Sequence, residues 1–358
     1  MKVFRIVFSI LIIVSTYFFV SNSKNNPQPN DKEDKIVKEV VKAIDPISKL
    51  QSSVFVPYWI VGRIDQNSFD GYTRLYYFGI TVNDDGIDKA DQGYISLPSF
   101  SQKTQGKVTI LTLRLLDDET NDRILTSETY RSTIMNEVAD AAQQYGFSGV
   151  AIDLETNVLT IEDQSDIITS FYQKSCKELA DRNLSCTPVI YGDTIYRKRP
   201  YNLKAISKIS ERVIIMAYDF HKSRGEPGPN FPLHGKEKYG YDFETMANDM
   251  TTLIEPSKLT IAFGMFGYDW TLGKQGLPLK QATARTLNDI NTMFYPCDYE
   301  KCTIARDTLS AETYITYQDP EGYVHDVWFE DQDSEAKKVD LLKQQGVGDI
   351  VYWAFGYY

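Results

Sequence analysis

Residues 148–155, Ser-Gly-Val-Ala-Ile-Asp-Leu-Glu, restrict the fold more than any other stretch of this chain. Side chains alternate along a strand, so Ala151, Asp153 and Glu155 share one face while Val150, Ile152 and Leu154 share the other. An apolar row backing an acidic one is a poor plan for a core. It suits the inside of a closed barrel whose last residue emerges at a catalytic mouth. Two carboxylates two residues apart also repel, which raises one pKa and makes its owner a candidate general acid near neutral pH. The competing reading is a strand end whose carboxylates are merely solvated or salt-bridged.

Seven further apolar, β-rich runs accompany this segment, at 54–60, 74–82, 107–113, 184–191, 212–220, 259–267 and 349–355. Helical spacing fills several of the gaps, notably 127–145, 161–182, 242–254 and 334–345. Eight buried strands separated by helices predict an α/β protein, a (β/α)8 TIM barrel in one domain over 51–358. An open doubly wound sheet is the rival, but no early strand-to-helix connection carries G-x-G-x-x-G or G-x-x-x-x-G-K. The interval before the last strand is too long for one connection. It predicts a small α+β insertion between strands seven and eight, over about 271–327, packed beside the barrel mouth.

The N-terminus carries an address. Lys2 and Arg5 precede an apolar run over 6–20, followed by Ser21-Asn22-Ser23, so residues 1–23 read as a signal peptide or an N-terminal anchor. Residues 24–50 form a polar linker with a short amphipathic helix over 35–44. Export places all four Cys where disulfides persist. Cys297 and Cys302 flank four residues and suit a local bridge, whereas Cys176 and Cys186 either pair, if a helix end packs beside the next strand, or remain buried thiols. Without a CxxC pair, and with His221, His234 and His325 scattered, no zinc site is expected, nor any other metal or cofactor. A net charge of −11 provides no basic stripe and excludes nucleic acid as a partner.

Other strand ends carry chemistry. Met216-Ala217-Tyr218-Asp219 closes one apolar run with a hydroxyl beside a carboxylate, a pairing that can hold a reacting carbonyl or water in place. Val351-Tyr352-Trp353 closes the last run, and Val56-Pro57-Tyr58-Trp59 lies in the first. Their aromatics read either as barrel filling or as platforms for sugar rings.

Together these segments resemble glycoside hydrolase family 18, the chitinase-like (β/α)8 barrels. The family's signature D-G-x-D-x-D-x-E aligns without gaps on 148–155, its M-x-Y-D element on 216–219, and its closing-strand Trp on Trp353. The resemblance runs from about residue 52 to the C-terminus and takes in the run Val327-Trp328-Phe329-Glu330-Asp331. It implies an exported, retaining hydrolase of β-1,4-linked N-acetylglucosamine glycans, such as chitin, chitooligosaccharides or peptidoglycan. The substrate's own acetamido oxygen then serves as nucleophile, an exception to the two-carboxylate scheme. In that scheme Glu155 is the general acid, Asp153 orients the acetamido group and Tyr218 bonds its oxygen. Asp219, Trp353, Met216, Tyr58 and Phe78 are the implied substrate-binding residues.

The implied partner is a polysaccharide, met by a monomer that the N-terminal apolar segment could tether to a membrane. Ser148 and Ala151 depart from the signature by replacing its first two Asp. Without a carboxylate at 151, Asp153 is expected to ionise more readily. A catalytically weak or inactive lectin for the same sugars is the alternative, disfavoured because Glu155 is retained. A cell-surface barrel without a glycan role fits the strand-end residues less well.

Overall fold

A computed structural model describes residues 50–358 except 66, 157–163 and 296. The signal or anchor, nearly all of the linker and the 35–44 helix lie outside the described residues. Among the described residues no helix is long and apolar enough to cross a membrane.

Eight parallel strands close into a barrel. In chain order they are β1 (Gln51–Pro57), β2 (Leu75–Ile80), β5 (Thr109–Leu115), β6 (Gly149–Leu154), β7 (Ser185–Tyr191), β8 (Val213–Ala217), β9 (Leu259–Gly264) and β15 (Asp349–Trp353). A two-stranded hairpin of β3 (Val82–Asn83) and β4 (Gly86–Ile87) follows β2. Around the barrel the order is β1-β15-β9-β8-β7-β6-β5-β2, so β1 and β2 complete the circle as neighbours. Every residue of β2, β6, β8 and β9 is buried, because the lumen takes one face and the surrounding helices the other. This is why those segments read as nearly continuous apolar runs.

The helices start where short polar side chains can take up free amides. Ser127 caps Glu128–Gln144, Asp242 caps Phe243–Leu253, and Asp331 opens Gln332–Gln344 with a reciprocal bond from Ser334. Helix Gln164–Ala180 packs beside β7 and carries Cys176 onto Cys186, so the conditional bridge is made. Cys297 and Cys302 are also bonded.

Several boundaries differ from those expected, and three of the differences bear on the site. The first strand spans 51–57 rather than 54–60, since Pro57 ends the ladder and Tyr58–Arg63 turns into a 3₁₀ helix. Tyr58 therefore stands on the loop above the strand. The run 259–267 is two strands, broken at Met265, with β10 (Phe266–Leu272) already leaving the barrel. The insertion thus occupies 266–329 instead of 271–327. It is a five-stranded antiparallel sheet in the order β11-β10-β14-β13-β12, built from β10, β11 (Thr283–Thr286), β12 (Glu300–Arg306), β13 (Thr313–Gln318) and β14 (Val324–Phe329), with helix Leu287–Phe294. Finally, β8 stops at Ala217, because Asp219 takes a left-handed φ of 58° and turns the chain away.

Candidate active site

In-register pairing converts strand alternation into layers across the lumen. Arg114 on β5 stands opposite Asp153, Thr112 and Thr187 flank Ala151, and Tyr191 lies beside Met216. Asp153 is buried, and its Oδ1 finds no hydrogen-bond partner among the described residues. Glu155 sits one residue beyond β6, half-buried, where the strand opens at the mouth. Its amide donates to the Leu115 carbonyl at 2.9 Å, and Asn121 Nδ2 donates to its carbonyl at 2.7 Å. The backbone at Glu155 is thereby held by two neighbouring segments.

Glu155 Oε2 accepts a 2.6 Å hydrogen bond from the Tyr191 hydroxyl. Charge-assisted bonds of this length are the stronger kind, and this one fixes the carboxylate's rotamer. Asp219 is held twice: its amide donates to Asn230 Oδ1 at 2.7 Å, and its Oδ1 accepts from Tyr268 at 2.8 Å. Glu155, Tyr191, Met216, Tyr218, Asp219, Asp193 and Lys222 line one small cavity. Gly192 belongs there too; a Cβ on it would lie 2.4 Å from the Met216 carbonyl oxygen, so the ends of β7 and β8 could not approach with a larger residue.

Trp353, Phe78 and Tyr58 form a separate aromatic cluster on the other arc of the mouth. Phe78 meets Trp353 edge-on at 4.6 Å, and the Arg114 guanidinium stands 4.9 Å from the Phe78 ring and 5.5 Å from Tyr58. The expected site residues thus fall into two groups, with Asp153 and Arg114 between them. Among the described residues no group of His, Cys, Asp and Glu is placed to hold a metal ion.

The electrostatics correct one expectation. Loss of a carboxylate at position 151 does not leave Asp153 readily ionised. Burial pushes its carboxyl well above the usual range, Glu155 pushes the same way, and Arg114 pulls it back only in part. Desolvation outweighs the missing neighbour. Burial likewise raises the Asp219 carboxyl, offset by Tyr268 and Lys222, and it raises the Tyr218 hydroxyl with Asp153 and Glu155 adding to it. Tyr218 therefore stays a neutral hydrogen-bond donor.

Sequence reading missed Tyr191, Asp193, Lys222, Arg114, Asn121 and Tyr268. Tyr191 and Arg114 were within reach, since both lie at the C-terminal ends of barrel strands, where catalytic residues of this architecture gather. Tyr268 on the inserted sheet carried no local signal.

A parallel eight-stranded barrel with carboxylates and tyrosines at its C-terminal mouth places the chain among the (β/α)8 enzymes. More narrowly, the chain belongs to glycosyl hydrolase family 18, which matches residues 117–357. The cortical fragment-lytic enzyme of Bacillus cereus is 27% identical over 333 residues, which is 90% of this chain and 73% of that one. Across its sporulation and cortex-lytic relatives from Bacillus, the chain spans 56% to 73% of their length. The spore cortex-lytic enzyme SleL of Bacillus cereus shares the fold at a TM-score of 0.69 and 20% identity, over 87% of this chain and 72% of that one. The Group IV chitinase of Ostrinia furnacalis does so at 0.71 and 16%, over 86% and 93%.

Proposed function

We propose that the protein is an exported glycosidase that cleaves β-1,4-linked N-acetylglucosamine glycans with retention, using the substrate's acetamido group as nucleophile. The observation that carries this reading is the tyrosine-held Glu155, sharing one cavity with Tyr218 and Asp219 while Asp153 lies buried beside it. Relatives named as cortical fragment-lytic enzyme and di-N-acetylchitobiase support the substrate class. Two disulfides support an oxidising compartment.

In this scheme Glu155 protonates the glycosidic oxygen as the bond to the anomeric carbon breaks. The acetamido carbonyl oxygen attacks from the opposite face and forms a cyclic oxazolinium. Asp153 accepts a hydrogen bond from the acetamido N–H as positive charge develops there, and Tyr218 donates to the acetamido oxygen. Glu155, now a carboxylate, then removes a proton from the water that opens the ring. Asp219 binds the same sugar, and Trp353 supplies the apolar floor.

The test is Glu155→Gln, assayed side by side on N-acetylglucosamine oligomers and purified peptidoglycan. General acid–base catalysis contributes about 10²–10⁴-fold, so turnover falls at least a hundredfold while binding persists. Hydrolysis at the parent rate would refute the assignment, and so would indifference to a thiazoline that mimics the cyclised acetamido group.

A further inference from the structure

The loops that follow β7 and β8 are strongly cationic for a chain of net charge −11. Arg197, Lys198 and Arg199 stand on one, Lys222 and Arg224 on the other. Between them runs an open groove lined by Tyr196, Arg197, Arg199, Phe220, Lys222 and Glu226 among others. Lys222 lines both this groove and the cavity that holds Glu155, so the two adjoin.

The charges within the groove do not cancel. Arg197 and Arg199 both grip Asp193, each through Nε at 2.5 Å, with Arg199 Nη2 adding a second bond at 3.0 Å. Two guanidinium groups on one carboxylate leave a positive charge over. Lys222 makes no salt bridge among the described residues, although Asp219 feels its charge across the cavity they share; its ammonium lies 5.3 Å from the Tyr191 ring. Burial holds the His221 imidazole below its ordinary value, so it stays neutral at pH 7. Against these stands Glu226 on the rim. The groove therefore carries an excess of about one cation, which matches a single carboxylate and not a polyphosphate. Exposed Tyr196 lies flat on Tyr241, with ring centroids 5.2 Å apart and planes 11° from parallel, and offers a rigid face for a sugar ring beside that charge.

We infer that this groove is a subsite for a carboxylate-bearing substituent on a sugar next to the one cleaved, which makes an anionic N-acetylated glycan, rather than neutral chitin, the preferred ligand. The inference rests on the glycosidase reading of Glu155 and deepens it.

Binding to the Glu155→Gln protein provides the test, with turnover removed. The probes are a short glycan in which N-acetylglucosamine alternates with a carboxylate-bearing N-acetyl sugar, the same glycan with its carboxylates amidated, and a phosphodiester-linked glycan polymer. By calorimetry at low salt the free acid binds about tenfold more tightly than the amide, and near 0.5 M salt most of that gap closes. Arg197→Gln in the same background narrows the gap to about threefold or less and leaves amide binding unchanged, because Arg199 still holds Asp193. Lys222→Gln narrows it as well.

Equal binding of acid and amide overturns the subsite. So does equal weakening of both by Arg197→Gln, or tighter binding of the phosphodiester polymer. Turnover of neutral oligomers by the parent enzyme is a separate readout. If it is present while acid and amide bind alike, only the subsite fails. If the parent turns over neither neutral oligomers nor purified peptidoglycan, the glycosidase reading fails while the binding comparison still decides the groove.

Discussion

Lys338 is the residue whose loss is expected to be felt most. It is fully buried on the last helix, where its ammonium donates to Glu312 Oε1 at 3.0 Å and to Glu330 Oε2. Both carboxylates are buried as well. Glu312 also accepts the amides of Asn230 at 2.6 Å and Phe231 at 2.8 Å, and Asn230 in turn holds the Asp219 backbone. One cation thus ties the inserted sheet and the final helix to the loop that sets a site residue.

Lys338→Met keeps the apolar stem and strands two carboxylates in the interior. Removing one partner from a buried ionic cluster costs about 3–5 kcal/mol. For a domain of roughly 300 residues each kcal/mol shifts Tm by about 1.5–2 °C, giving a drop of about 5–10 °C by calorimetry. The triple variant Lys338→Met/Glu312→Gln/Glu330→Gln removes the stranded charges and regains most of the loss. A single variant within about 2 °C of the parent, or a triple variant no better than the single, would refute the reasoning. KM is expected to rise in the single variant, through displacement of Asp219.

Arg114→Met removes the one cation that lowers Asp153, so the carboxyl rises further and the acidic limb of the kcat–pH profile moves to higher pH; an unmoved limb shows that Asp153 is not titrating in that profile. Asp153→Asn is expected to abolish turnover yet raise Tm at neutral pH. The folded carboxyl holds its proton more tightly than the unfolded one, so stability falls as pH rises above about 4. Asn removes that penalty, and the two proteins converge in Tm below about pH 4; a lower Tm at pH 7 contradicts it. Cys176→Ser/Cys186→Ser opens a short loop closed across 10 residues and is expected to cost about 2–3 kcal/mol by denaturant titration. Dithiothreitol should then leave the variant's midpoint less affected than the parent's.

The strand at 149–154 and its emergent Glu155 were readable because alternation is a local property of a chain: inner and outer rows differ visibly in chemistry. The same holds for Tyr218 and Asp219, which follow an apolar run. Eight such runs separated by helices were enough to predict the closed barrel. Arg114 and Tyr191 illustrate what was not readable. Their importance comes from facing Asp153 and Glu155 across strands 36 to 39 residues away in sequence, and only register decides that.

The pKa of Asp153 is a second case. The motif counts neighbouring charges, but the depth of burial that dominates is a property of the closed lumen. Likewise the single excess charge of the groove emerges only when Arg197 and Arg199 are seen sharing Asp193. Sequence by itself determined which barrel strands form and which carboxylates end them, since both follow from periodicity along one segment. Tertiary structure alone decided what those carboxylates meet, because hydrogen bonds, desolvation and net local charge depend on groups that only the barrel brings together.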